Sequence, residues 1–246
     1  MLVLEDVHAH YGSAHVLQGI SLQVNAGKIV CLLGRNGAGK STTLKTIMGV
    51  VQPSAGKISF KGEAISGLPP HVIATRGLAW VPEDRRVFAS LSVEENITVA
   101  GQAISGNSAA RIAEALDFFP DLKARMDQRA GSLSGGQQQM LTIARALASK
   151  PDLILLDEPT EGLSPIMVSV IRDGIVKSRE RGASILLVEQ NFALATEVAE
   201  EFFVMSRGTI VYQGTRDELL SAPEVIKEHL GVAKARSSAV VHHSKG

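Results

Sequence analysis

One cysteine, one tryptophan and two tyrosines in 246 residues set the first limits. A single thiol, Cys31, allows no intrachain disulfide and no cysteine metal cage, which fits a reducing compartment. Aromatic residues make up 4% of the chain, too few for an extended platform on which the bases of a single strand could stack. Charge of neither sign prevails. Lys+Arg and Asp+Glu number 25 each, so the chain as a whole has no electrostatic footprint for DNA or RNA, and no nucleic-acid partner is expected. No stretch approaches the ~18 consecutive apolar residues needed to cross a bilayer, so any membrane role is expected to be peripheral. Met1-Leu-Val-Leu-Glu-Asp6 lacks the basic run and apolar core of a signal peptide. Low-complexity tracts and internal repeats are missing as well. What remains is a globular composition, 45% hydrophobic and 20% charged, in a length that suits one large or two small domains.

The first third reads as β-rich. Ile20, Leu22 and Val24 alternate with polar neighbours, the period of a half-buried strand. A turn at Asn25–Gly27 leads into Lys28–Leu33, a nearly continuous apolar run suited to a strand buried on both faces. The glycine cluster Gly34–Gly39 follows, then a helix-compatible stretch Lys40–Met48, a turn at Pro53–Gly56 and a short strand Lys57–Phe60. Helical segments are expected from Val87 to Gln128, broken at Gly106–Ser108 and Phe119–Pro120. Met140, Ile143, Ala144 and Leu147 keep helical spacing, after which Leu153–Leu156 reads as a buried strand. A helix near Pro165–Arg181 and a strand over Ser184–Val188 continue the α/β alternation, and Arg207-Gly208 predicts a hairpin between Phe202–Met205 and Thr209–Tyr212. Residues 233–246 are small, polar and weakly basic, the composition of a mobile tail. His242 and His243 in it could bind a metal, or belong to a solvated tail or an expression remnant.

Three segments carry chemistry. Gly34-Arg35-Asn36-Gly37-Ala38-Gly39-Lys40-Ser41 fits a phosphate-binding loop. Its glycines let backbone N–H groups converge on a triphosphate without Cβ obstruction, and the helix beginning near Lys40 adds its positive end. Lys40 is placed to reach the β- and γ-phosphates of ATP, and the Ser41 hydroxyl to ligate Mg²⁺. In Leu153-Ile-Leu-Leu-Asp157-Glu158, two acids stand at the carboxyl end of a buried strand. Asp157 can hold the metal and Glu158 can act as base toward the attacking water, although a solvated strand end has the same look. In Leu133-Ser134-Gly135-Gly136-Gln137, Ser134 is an N-cap candidate and the glycine pair permits close backbone approach. The helix from Gln137 would then aim a second positive end outward as an anion site. Taken alone, Ser-Gly-Gly is most often just a helix start.

These three motifs, in this order, resemble the ATP-binding subunit of ABC transporters over about Met1 to Val232. Within that family the chain is most similar to the smaller ATPase subunit of branched-chain amino-acid importers. The segments that carry this are Ala9-His-Tyr-Gly12, Gly34–Lys40, Val81-Pro-Glu-Asp-Arg-Arg-Val-Phe88, Val93-Glu-Glu-Asn96, Glu161-Gly-Leu-Ser-Pro165, Leu187-Val-Glu-Gln-Asn191 and Glu228-His-Leu-Gly-Val232. The resemblance implies an α/β fold: a phosphate-loop ATPase core on a mainly parallel sheet, an N-terminal antiparallel β-lobe and a helical subdomain inserted over about 87–150. The ATPase domain would span 1–232.

The resemblance also implies roles. Tyr11 would stack on adenine, unless it is a hairpin aromatic packed on the sheet. Residues Gly34 to Thr42 would cradle the phosphates, and Leu133–Gln137 would cover the ATP held by a partner subunit. Ser164 lies in a loop that meets that partner. Glu83 stands where most of the family has a Gln that senses the γ-phosphate and Mg²⁺; its carboxylate can still ligate the metal but would repel an unaccompanied γ-phosphate. Gln190 stands where most have a His at the γ-phosphate, and it can donate a hydrogen bond without carrying charge. That pair is usual in the branched-chain subfamily. Arg85 and Arg86 lie in the segment that faces the membrane subunit, or form a solvated pair.

The implied activity is ATP hydrolysis at a dimer interface, driving integral membrane permease subunits from the cytoplasmic face of the cell membrane. A second copy or a related larger ATPase would complete the dimer, and a periplasmic binding protein would act indirectly. Urea, amides or other amino acids are alternative cargoes. A soluble ABC ATPase acting on nucleic acid or ribosomes would usually show duplicated cassettes or a coiled-coil insertion, and a phosphate-loop kinase would not carry Leu-Ser-Gly-Gly-Gln.

Overall fold

A computed structural model describes residues 1–102 and 108–231. The tail with His242 and His243 lies outside the described residues, as does most of the break expected at Gly106–Ser108.

Two sheets organise the chain. The first, ordered β2-β1-β4-β5, is antiparallel and joins β1 (Leu2–Tyr11), β2 (Ala14–Val24), β4 (Pro53–Phe60) and β5 (Glu63–Ala64). The second contains β3 (Ile29–Leu33), β6 (Leu78–Val81), β7 (Leu153–Asp157), β8 (Ser184–Glu189), β9 (Glu201–Ser206) and β10 (Thr209–Thr215), in the order β10-β9-β3-β8-β7-β6. Its described pairings are parallel except the β9–β10 hairpin. Helices α1 (Lys40–Ile47) and α2 (Pro70–Thr75) fall between the early strands. Then α3 (Val93–Gln102), α4 (Ser108–Phe118) and α5 (Gly135–Ala148) lie between β6 and β7, and α6 (Pro165–Glu180), α7 (Phe192–Val198) and α8 (Arg216–Leu220) follow.

Alternation along the parallel strands divides the interior into two cores. Cys31 and Leu33 of β3, Ile154 and Leu156 of β7, and Ile185 and Leu187 of β8 face the helices, where Met140, Ile143, Ala144 and Leu147 of α5 contribute. Val30 and Leu32, Leu153 and Leu155, Leu186 and Val188 face the antiparallel sheet, with Ile20, Leu22 and Val24. Every residue of β3 is therefore buried, which explains its uninterrupted apolar run. Cys31 sits among these side chains as a small hydrophobe, its thiol pushed well up by burial.

The expected turn at Pro53–Gly56 is strand instead. Pro53 and Ala55 pair with Ala9 and His8 of β1, and the register shifts there. Gly56, at φ +85°, lies so close to β1 that a Cβ would fall 2.2 Å from the Asp6 carbonyl oxygen. The turn-forming residues serve a bulge in a paired strand. The α5 helix also begins two residues earlier than expected, at Gly135, because Ser134 and Gln137 close a capping box.

Candidate nucleotide site

The carboxyl ends of neighbouring parallel strands collect the polar groups, the usual place for a ligand in an open α/β sheet. Leu33 of β3 is paired with Glu189 of β8, and Val188 with Asp157 of β7. The glycine loop, the acid pair and Gln190 therefore emerge side by side.

Conformation explains the glycines of the loop. Gly37 and Gly39 have φ of +79° and +112°, and a Cβ on Gly34 would lie 2.5 Å from the Met205 carbonyl oxygen of β9. The loop is anchored on the β9–β10 hairpin by the Gly208 N–H, which donates to the Ala38 carbonyl at 2.9 Å.

Lys40 is 4% exposed. Its Nζ donates to the Gly34 and Arg35 carbonyls at 2.9 and 3.2 Å and pairs with Glu158 Oε1 at 3.0 Å. The Ser41 hydroxyl donates to Asp157 Oδ1 at 2.9 Å. These contacts join the two acids to the phosphate loop. Glu158 itself has φ +44°, a left-handed conformation, and its backbone N–H donates to the Val188 carbonyl at 2.9 Å.

A cavity of about 410 Å³ opens over this cluster. It is lined by Tyr11, Asn36, Gly37, Gly39, Lys40, Ser41 and Thr42, and by Glu83 and Glu158. Tyr11 is 48% exposed, so about half of the side chain stands open beside the cavity. Gly34, Arg35 and Ala38 support the loop without lining the cavity: two give carbonyls to Lys40, and Ala38 packs into the core. Asp157 is buried beneath. A larger hollow of about 500 Å³ lies near the amino end of β3, beside Arg179, Glu200 and Arg216. Arg179 is already paired there with Glu200 at 2.7 Å, and none of the motifs reaches it, so volume alone does not pick the site.

Two lining residues escaped sequence reasoning. Val16 adds an apolar wall near Tyr11, and Glu161 adds a third carboxylate beside Glu83 and Glu158. Burial, and then the charges of Glu158 and Glu83, push the Glu161 carboxyl up. Its position three residues after Glu158 was the available signal. Asp157 is pushed up to about 6, mainly by burial, with Glu83 and Glu158 adding to the shift and the Ser41 hydrogen bond opposing it.

An excess of acid over cation around one lysine is unfavourable for a triphosphate unless a cation comes with it. Among the described residues, no three His, Cys, Asp or Glu gather into a metal cage. The donors present, a hydroxyl and carboxylates, are hard oxygens that fit Mg²⁺ completing its shell with phosphate and water.

The remaining motif residues do not line the cavity. Gln190 is exposed at the end of β8 and does not line the cavity. None of Leu133–Gln137 lines it either. Leu133 is buried in the helical core, Ser134 caps α5, and a Cβ on Gly136 would lie 2.7 Å from Met167 of α6. Ser164 caps α6 on the surface. Arg85 and Arg86 both have positive φ. Arg86 bonds both oxygens of Asp84 at 2.9 Å, and the Arg85 carbonyl accepts from Thr142 of α5 at 2.7 Å.

Comparison with known proteins identifies the family. Residues 17–161 match the family model described as ABC transporter. The chain is 44% identical over 232 residues to the high-affinity branched-chain amino acid transport ATP-binding protein BraG of Pseudomonas aeruginosa, covering 94% of this chain and all of that one. It is 38% identical to the probable branched-chain amino acid transport ATP-binding protein LivF of Archaeoglobus fulgidus, over 94% and 99% of the two chains. It is also 36% identical to the lipopolysaccharide export system ATP-binding protein LptB of Escherichia coli, over 94% and 97%. The solved structure of an ATP-binding subunit of an ABC transporter superposes with a TM-score of 0.81 at 29% identity, over 92% of this chain and 94% of that one. The phosphate loop, the acids that face it and these full-length matches place the chain in the ABC transporter family, as an ATP-hydrolysing subunit.

Proposed function

We propose that this ATPase drives an importer of branched-chain or other hydrophobic amino acids, as a peripheral subunit on the cytoplasmic face of the cell membrane. Its partners in this reading are integral permease subunits, a second ATPase subunit that completes the dimer, and, indirectly, a periplasmic binding protein. The observation that carries the chemistry is the convergence of Lys40 with Glu158 at 3.0 Å and of Ser41 with Asp157 at 2.9 Å. The cargo reading is supported by the BraG and LivF relatives.

In the proposed reaction Tyr11 stacks on adenine and the backbone of Asn36–Thr42 receives the phosphates. Lys40 then exchanges part of its contact with Glu158 for the β- and γ-phosphate oxygens. Ser41, Asp157 and Glu83 would hold Mg²⁺, which when bound neutralises charge on the phosphates. Glu158, released from Lys40, accepts a proton from water as the water oxygen attacks the γ-phosphorus. The bond to the β–γ bridging oxygen breaks, giving ADP and phosphate. Gln190 donates an amide hydrogen bond to the γ-phosphoryl group as its charge develops. Leu133–Gln137 are assigned, on the family resemblance, to the nucleotide of the partner subunit, with Ser134 as the contacting hydroxyl; that they do not line this chain's own cavity is compatible with this.

Lys40→Ala should abolish ATP binding, since the lysine is the point charge that reaches the β/γ-phosphates; unchanged affinity would remove the loop from the mechanism. In the host, deleting the gene should stop uptake of labelled leucine, and the parent gene but not the Lys40→Ala gene should restore it. Intact leucine uptake with lost urea or amide uptake would move the cargo to those compounds. The LptB relative favours a second reading, lipopolysaccharide export, and a defect in delivery of that lipid with amino-acid uptake unchanged would select it.

A further inference from the structure

Glu189 is the last residue of β8, only 2% exposed, and no step above uses it. Its two oxygens face different loops. Oε1 accepts the Thr160 hydroxyl at 2.8 Å, in the loop that carries Glu158. Oε2 accepts the backbone N–H groups of Gln190 at 3.1 Å and Asn191 at 3.0 Å. Asn191 in turn caps α7 through the Leu194 N–H at 3.2 Å. Burial pushes the Glu189 carboxyl up, while its three hydrogen bonds pull it back toward the charged form. A buried carboxylate is costly, and a site needing only a space-filler would hold an apolar residue. Among the described residues, the donors that meet Glu189 come from the loop that carries Glu158 and from the turn that carries Gln190.

We infer that Glu189 is a positioning residue whose carboxylate ties the Glu158 loop to the Gln190 turn, so that base and amide donor reach the nucleotide as one unit. The inference rests on the reading of Glu158 and Gln190 as the acting groups. Thr160 is its second half: the hydroxyl is 6% exposed as part of its residue and its bond to Glu189 is the side-chain link between the loops. Neither Glu189 nor Thr160 lines the cavity, so the pair acts on turnover through geometry and leaves nucleotide affinity alone.

Thr160→Val keeps the side-chain shape and removes the donor, which makes it gentler than truncating Glu189. In the purified full-length chain, kcat for ATP should fall about tenfold, the scale of one lost hydrogen bond to a charged group. KM and the affinity for a fluorescent ATP analogue should stay within about twofold. Thr160→Ser should recover most of the rate. Because both act through one assembly, Thr160→Val combined with Gln190→Ala should be no slower than the slower single variant. A parental kcat in Thr160→Val, a loss confined to KM, no rescue by Ser, or multiplied losses in the double variant would each overturn the inference. Glu158→Gln run alongside separates the two failures. If it hydrolyses ATP at the parent rate, the base assignment falls; if it is inactive while Thr160→Val is unaffected, only the link through Glu189 falls.

Discussion

Asp157 stands in a place where a carboxylate is uncomfortable without a cation. Burial holds its carboxyl at about 6, against about 4 for a free aspartate. The folded chain therefore binds this proton more tightly than the unfolded chain does. Its contribution to stability is greatest below about pH 4, declines as pH rises to about 6, and is level above that. A cation at Asp157 must displace the proton, so Mg²⁺-dependent ATP binding should strengthen as pH rises from 5 to 7. Titrating Mg²⁺ against ATP binding across that range checks this, and in Asp157→Asn the dependence should flatten; an unchanged pH profile in that variant would place the titrating group elsewhere. At this scale the sequence was most legible where several residues act through backbone geometry. The positive φ at Gly37 and Gly39 is the physical content of the glycine pattern. Glu161, Val16 and Glu189 were less legible, because a single side chain acquires its neighbours only when loops from distant strands meet.

Elements were legible where burial imposed a period. The apolar runs of β3, β7 and β8 and the spacing along α5 matched their two-sided or one-sided burial. They were misread where turn residues serve a bulge, as at Pro53–Gly56. Strand β6, Leu78–Val81, went unread because four residues give too short a pattern to register. Capping defines the helix starts more sharply than propensity does. Ser92 and Glu95 bond each other's backbone at 3.1 and 2.7 Å, fixing the start of α3. One turn in, Asn96 is fully buried. Its Oδ1 accepts the Phe88 N–H at 2.9 Å, while its Nδ2 donates to the Phe88 and Ser92 carbonyls at 3.1 and 2.8 Å. The Asn96 amide therefore ties the loop carrying exposed Phe88 to α3, beside the Gly131 N–H that donates to the Ala89 carbonyl at 3.0 Å. Asn96→Ala should lower stability by about 2–3 kcal/mol, the cost of leaving such groups unpaired, seen as a fall in the denaturation midpoint. ATP affinity should change little, since Glu83 alone of that loop lines the cavity and Asn96 bonds the loop further on, at Phe88; a large loss of affinity would contradict this separation.

At the scale of the molecule, the parallel sheet puts one core on each side and gathers the chemistry at one end of its strands. Ser134 stands at the start of α5 and off the cavity, and the proposed two-subunit site gives it to the partner's nucleotide. Ser134→Arg should bind ATP nearly as the parent does, yet fail to dimerise with ATP or hydrolyse it; normal dimerisation and turnover would sink the shared site. The central claim, that Glu158 is the base of a nucleotide clamped between two subunits, is tested most directly by Glu158→Gln. The amide keeps the shape but cannot take the proton, so hydrolysis should fall by about two to four orders of magnitude. ATP binding should survive, and an ATP-bound dimer should accumulate, visible by gel filtration coupled to light scattering. Parent-rate hydrolysis by Glu158→Gln, with no trapped dimer, would contradict the account.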